Sequence, residues 1–386
     1  PRSTPLYSSA ASDVYKRQSS DGMDPPFQHG LCWASMDFDK FITRKGQVHM
    51  ETISVLGIDL AKNVFQLCAV NGRGEVAWEK KVRRSRLLIE TANLKVGFIA
   101  LEACSGAHHW GREFVKQGHE VRLISPQHVK PFVRSNKNDR NDAQAIVEAS
   151  RRPNLHFVKV KDIERQDIQS LHRFRAKVMT DRTALGNEIR GLLHEYGIIF
   201  PQTMGQLMKG LVSLMESEAL TPMMKRLIKR SYERLNSLNE EMDYLDKQID
   251  SIFTSNEVCR RIEKIEGVGR LTATAIYAAV SDPHAFKNGR QFSAWLGLVP
   301  RQNSSGGTVR LLGISKRGDS YLRTLLVHGG RAAVRWSLGK VDSRSKWILQ
   351  KQETRGYNKA CVAVANKNAR IIWAMMTSES EYRKAV

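Results

Sequence analysis

The chain has 386 residues, 41% of them hydrophobic, with 61 Lys and Arg against 39 Asp and Glu, a formal charge of +22 at pH 7. This composition supports a packed core divided over two or three domains and excludes an acidic or intrinsically disordered chain; so large a surplus calls for an anionic partner, nucleic acid ahead of membrane. The five cysteines form no CxxC pair, which argues against a zinc ribbon or disulfide scaffold, and no apolar run approaches the ~20 residues of a membrane span, so a cytoplasmic location is expected.

Residues 1–49 show neither helical nor strand periodicity and lack the order of a signal peptide, so they are expected to be disordered or a spurious extension, with Met50 as the natural start. From there to residue 157 the pattern predicts a mixed sheet covered by helices. Strands are expected at Ser54–Ile58, Val64–Val70 and Glu75–Val82, the last two joined by an Asn71-Gly72-Arg73-Gly74 turn. A helix containing Leu87, Leu88 and Leu94 follows, then a strand Val96–Leu101, a helix Gly106–Gln117 and a strand Glu120–Ile124.

Residues 158–256 change to long helices. Leu171, Val178, Leu185 and Leu192 recur every seven residues, and Ile228, Leu235, Leu238, Met242, Leu245, Ile249 and Ile252 keep the three-four spacing of a coiled-coil seam. A helical hairpin or dimer stalk fits this pattern, as do two amphipathic helices packing within one chain. Residues 257–386 form a basic domain: residues 301–386 alone hold 17 Lys or Arg against 5 Asp or Glu, making them the expected grip on phosphates. Helices are expected at Tyr321–Val334 and Ala360–Met376, the latter with Ala365, Ala369, Ile372 and Met376 on its apolar face.

Four acids carry the chemistry. Asp59 ends the first strand and Glu102 the strand Val96–Leu101, so they meet if those strands are neighbours; Asp139 and Asp142, three apart, share one face of a helix. Carboxylates gathered this way repel one another unless cations intervene, and hard oxygen donors select Mg²⁺ or Mn²⁺. Two such ions about 3.5–4 Å apart suit in-line displacement at a phosphodiester. Taken singly, each acid has an ordinary reading as a turn cap, a surface ion pair or a solvated helix face; their joint placement favours a metal centre. Cys104, His108 and His109 lie close in sequence, but no fourth ligand is evident and no metal role is assigned to them.

In the basic domain, Ser304-Ser305-Gly306-Gly307 places hydroxyls beside glycines that permit close approach to a phosphate, a pattern that is usually only a loop. Arg301, Arg310, Lys316, Arg317 and Arg323 are the candidate phosphate contacts, although each could equally be a solvated charge. Gly267-Val268-Gly269 resembles the hairpin of a helix-hairpin-helix module, whose backbone N–H groups bind phosphate; a simple loop-to-helix turn reads the same way.

The motifs Gly57-Ile58-Asp59-Leu60-Ala61-Lys62, Glu102-Ala103 and Asp139-Arg140-Asn141-Asp142-Ala143 resemble the DEDD signature of the RuvC-like branch of the ribonuclease H fold. More narrowly, they resemble an insertion-sequence transposase family, the bridge-RNA-guided serine recombinases, from about Met50 to the C-terminus. The resemblance implies a RuvC-like domain, a coiled-coil connector and a mostly helical transposase domain. It also implies Ser305 as the nucleophile, with Ser304 the second choice, since the catalytic serine of that family directly precedes the glycine; spacing alone does not separate the two. Further implied are double-stranded DNA at element ends and target, a noncoding bridge RNA, and a homo-oligomer, dimer or tetramer. Two alternatives stand beside it: a junction-resolving nuclease that uses water, and a non-catalytic nucleic-acid-binding scaffold.

Overall fold

The computed structural model describes residues 52–133, 138–153, 155–378 and 380–383. The expectation for residues 1–49 lies outside these. β1 (Ile53–Asp59), β2 (Val64–Asn71) and β3 (Val76–Arg83) form an antiparallel meander, followed by α1 (Leu87–Thr91), β4 (Val96–Glu102), α2 (Ala107–Lys116), β5 (Val121–Ile124), α3 (Pro126–Val129) and α4 (Asp139–Ser150). The strand order is β3-β2-β1-β4-β5, with β4 parallel to β1 and β5 parallel to β4. This is the mixed, helix-covered sheet that the sequence predicts, and it is consistent with a ribonuclease H-like domain.

Alternation along the strands makes two cores. Leu56, Ile58, Leu67, Ile99 and Leu101 face α2 with Trp110 and Phe114, whereas Val55, Cys68, Val70 and Ala100 face α4 with Ala143, Ile146 and Val147. Because β1 and β4 are covered on both faces, they read as nearly unbroken apolar runs. α4 begins where the Asn138 side chain accepts from Asn141 N–H (2.8 Å).

α5 (Ile163–His194) and α7 (Pro222–Ser255) are single helices of 32 and 34 residues that pack antiparallel, with α6 (Met204–Glu216) against their tip. Arg175 pairs with Asp246 and Arg182 with Asn239 across the seam. The hairpin therefore closes within the chain. Val178 and Leu185 are buried as predicted, but Leu192 is 46% exposed and Ile189 and Leu193 fill the core instead. A straight helix drifts about 20° per heptad from a strict seven-residue repeat, and the seam has moved by the third repeat.

The C-terminal body comprises α8 (Glu257–Glu263), α9 (Arg270–Ala279), α10 (Gly289–Trp295), the hairpin β6 (Pro300–Gln302) and β7 (Leu311–Ile314), α11 (Ser320–Trp336), α12 (Ser343–Arg355) and α13 (Tyr357–Ser378). Its core gathers Phe292, Leu296, Leu322 and Leu326 around Ala365, Ala369, Ile372 and Met375. Met375 takes the central place predicted for Met376, which is only partly buried. The root of α5 is fastened to this body: Arg165 donates to the carbonyls of Tyr277 and Val280, and buried His172 bridges Thr274 Oγ1 and Tyr321 OH, each at 3.1 Å. Burial, with Arg175 adding to it, holds the His172 pKa down to about 4, so the ring is neutral at physiological pH.

Candidate active site

The parallel register Ile58↔Leu101 continues to Asp59 beside Glu102, so two neighbouring strands deliver two carboxylates to one end of the sheet. Both lie in line with Val55 and Ala100, on the α4 face. Their proximity is felt at Cys104, whose thiol pKa is raised first by burial and then by the charges of Glu102 and Asp59.

α4 reaches this face because Gly57 has no side chain. A Cβ there would stand 2.4 Å from Val147 Cγ2 and 3.0 Å from the Ala143 carbonyl. Asp139 and Asp142 occupy the first turn of α4, where negative charge also favours the helix N-terminus. The segment is clipped to β3: Arg140 Nε pairs with Glu79 at 2.5 Å and Lys81 with Asp139 at 3.8 Å. Gly57→Val should therefore lift α4 from the sheet, costing about 1–3 kcal/mol in denaturant unfolding and lowering DNA cleavage in parallel. An unchanged unfolding midpoint would show that α4 does not rest on Gly57.

The four acids thus stand as two pairs, Asp59 and Glu102 at adjacent strand ends and Asp139 and Asp142 in the first turn of the helix that covers that sheet face. Among the described residues, no three His, Cys, Asp or Glu side chains form a group that could hold a metal ion. The donor chemistry nevertheless fits a hard divalent cation. Gln66, opposite Asp59 in the β1–β2 ladder, is only 6% exposed, and its Oε1 is buried without a hydrogen-bond partner. An orphaned acceptor at this edge suits a donor from outside the described chain, such as cation-bound water. The sequence offered one signal for Gln66, its place in the strand paired with the one that ends in Asp59.

Ser305 sits at the apex of the β6–β7 hairpin. Gly306 (φ 55°) and Gly307 (φ 80°) are the two central residues of a turn closed by Thr308 N–H donating to Ser305 O at 3.0 Å, a conformation that requires two left-handed residues. Ser304 is committed to the hairpin, since its Oγ accepts from Arg310 N–H (3.2 Å) and Gln302 Nε2 (3.0 Å). The exposed Ser305 hydroxyl makes no hydrogen bond with a described residue.

Arg301, Arg310, Lys316 and Arg317 are exposed around this hairpin. Arg323 is half-buried and braces the hairpin base, donating to the carbonyls of Leu296 (3.3 Å) and Arg317 (3.4 Å). Gly267 packs backbone to backbone against Gly329, and the Glu266 carbonyl accepts from Asn368 and from buried Arg344. Only Gly269, at the start of α9, remains exposed in that motif. His108 Nδ1 accepts from Lys161 N–H and His109 packs edge-on against Trp110.

A groove of about 1210 Å³ that sequence reading missed runs from Pro300 and Ile314 at the hairpin base along α13, between Arg290, Lys359, Lys367 and Arg370. Lys367 Nζ lies 4.2 Å from the Trp347 ring centroid. The available signal was the set of basic residues on α13 away from its Ala365–Ile372 face.

A profile described as transposase, of the DEDD type, matches residues 56–198, and the Transposase IS116/IS110/IS902 family profile matches residues 259–346. The transposase for insertion sequence element IS1111A of Coxiella burnetii is 47% identical over 363 residues, covering 94% of this chain and 99% of that protein. The chain belongs to the IS116/IS110/IS902 transposase family. The alignment with the IS1111A transposase is long enough to extend upstream of Met50. The IS1328 transposase of Yersinia enterocolitica is 35% identical over 335 residues, covering 87% of this chain and all of its own. The pilin gene-inverting protein of Moraxella bovis is 20% identical over 363 residues, covering 86% and 98%. The first family match contains Asp59, Glu102, Asp139 and Asp142, and the second contains Ser305. As an IS110-type transposase the protein is a DNA-cleaving and rejoining enzyme, and its DEDD domain points to divalent-metal dependence in general. No helix among the described residues is long and apolar enough to cross a membrane.

Proposed function

We propose that this transposase excises and inserts its element by serine attack on DNA phosphodiesters, with Asp59, Glu102, Asp139 and Asp142 holding Mg²⁺ or Mn²⁺, in a two-ion arrangement. The observation that carries the reading is the contrast between the two hydroxyls: Ser304 is bonded into the hairpin, whereas Ser305 stands unbonded at its apex among exposed arginines. When bound, the metal ions supply charge neutralisation at the phosphate and lower the pKa of an oxygen near it. Ser305 Oγ bonds to phosphorus as its proton leaves to a carboxylate of the acid set or to solvent; the P–O bond to one DNA oxygen breaks and that oxygen takes up a proton. The phosphoseryl bond conserves the linkage energy, and an incoming DNA hydroxyl reverses the step to join a new strand without ATP. Arg301, Arg310, Lys316 and Arg317 bind flanking phosphates. Gly269 offers its helix start to another, whereas Gly267 and Arg323 hold the framework.

A noncoding bridge RNA supplies the pairing with donor and target DNA, a reading supported by the large positive charge. The active form is a homo-oligomer in which the serine of one protomer completes the acid set of another, with Phe174 (63% exposed) and Tyr244 (61% exposed) of the α5–α7 hairpin as apolar contact points. The test is incubation with labelled element-end DNA, divalent metal and RNA transcribed from the noncoding flank of the element. A detergent-resistant protein–DNA adduct that chelation prevents is expected. Cleavage without any adduct would favour a water-using nuclease, and binding without cleavage under every metal a scaffold.

A further inference from the structure

A second cleft, about 680 Å³, opens beside the acid pair, and Ser305 is not among the residues that line it. Its walls include Cys104 and Ser105 just after Glu102, Lys161 and Arg173 at the root of α5, and Asp319 at the start of α11. It abuts the acid pair, because its lining begins at Ala103, the residue that follows Glu102 at the end of β4. Its volume falls within the usual range of ligand pockets and exceeds what a single inorganic anion needs.

The charge of this cleft is unbalanced. Lys161 is 6% exposed, yet its ammonium donates only to Gln169 Oε1 (3.0 Å) and ion-pairs with no carboxylate among the described residues. Burial, with repulsion from Arg173 and against the attraction of Asp319 and Asp162, pulls its pKa to about 8. A buried ammonium without a counter-ion is costly, and an anion delivered to the cleft would remove that cost. Arg173 makes no ion pair or hydrogen bond with a described residue. Asp319 is the acid in the lining, and its Oδ1 is taken by the N–H groups of Tyr321 (2.8 Å) and Leu322 (3.0 Å) at the α11 cap. His108 is neutral, its pKa lowered to about 4 by burial and the surrounding cations.

We infer that this cleft binds the phosphodiester backbone of a single nucleic-acid strand, holding it through Lys161 and Arg173 as it leaves the acid pair. The inference rests on the acid pair being the place of cutting. DNA and RNA share the chemistry that Lys161 and Arg173 recognise, so the source is decided by measurement.

The experiment uses the full chain and labelled single-stranded DNA and RNA of equal length, with affinity read by fluorescence anisotropy across salt concentrations. Arg173→Gln changes an exposed side chain, and Lys161→Met keeps the buried stem; thermal melting of each reports its fold. Each variant should weaken binding roughly tenfold and flatten the salt dependence by about one phosphate contact. Bound oligonucleotide should slow alkylation of Cys104, read by peptide mapping, several-fold. Loss with DNA alone or RNA alone names the strand, and either supports the inference. Wild-type affinity and salt slope in a folded Arg173→Gln, with Cys104 unprotected, overturn it. The serine reading fails separately: Ser305→Ala should leave both readouts unchanged, and adducts formed by that variant would sink the nucleophile while leaving the cleft intact.

Discussion

Ser305→Ala should abolish covalent protein–DNA adducts and strand exchange, a loss of at least about 10³-fold, while leaving DNA binding and thermal stability at wild-type values. The substitution removes one oxygen from an exposed apex. The turn itself is held by the backbone bond from Thr308 to Ser305 and by the left-handed Gly306 and Gly307, none of which needs the hydroxyl. Ser304→Ala is the informative companion. It deletes an acceptor used by Arg310 and Gln302, so the hairpin should loosen and activity should fall by a smaller factor, with adducts still formed. Adduct assay of the two variants side by side distinguishes chemistry from scaffolding. Adducts surviving in Ser305→Ala and vanishing in Ser304→Ala would reverse the assignment.

Asp59→Asn is expected to remove metal-dependent cleavage by at least about 10²-fold with little cost to the fold. The amide keeps the shape of the carboxylate and deletes the charge. Because Asp59 and Glu102 end adjacent parallel strands, the metal-free variant should melt at or slightly above the wild-type temperature, as a like-charge repulsion is relieved. The second readout is independent of activity. Saturating Mn²⁺ at about 100 times its dissociation constant should stabilise the wild type by about 2.7 kcal/mol, and this increment should shrink in Asp59→Asn and in Asp142→Asn. An Asp59 variant that keeps the full metal-induced shift and full activity would sink the acid set as a metal centre. An intermediate result for Asp142 alone would place the metal at the strand ends.

The two strand-end acids were legible because β1 and β4 are buried on both faces: their apolar runs stop where the chain leaves the core, and Asp59 and Glu102 mark the stops. The DxxD pair was legible because helical spacing is a local property, whereas the Ser-Gly segment read only as a loop and its β6–β7 hairpin with left-handed Gly306 and Gly307 was not foreseen. What escaped depends on contacts distant in sequence. That Arg323 braces a hairpin rather than facing solvent depends on the Leu296 and Arg317 carbonyls. That Gly267 is a packing contact depends on Gly329, 62 residues on. The shift of the seam at Leu192 follows from helical twist accumulated along α5, which a strict repeat does not represent. Gln66, Lys161 and the α13 groove acquire meaning only once strands and helices from separate stretches share a wall.

The fastening of α5 has a mechanical consequence. Arg165 and His172 lie within its first three turns, and beyond them the helix runs unbroken to His194, so the whole is about 48 Å long. It behaves as a lever with its fulcrum at α9. A small sideways push where α6 caps the tip is therefore carried along the unbroken helix to its fastening at α9 rather than absorbed at a hinge within α5.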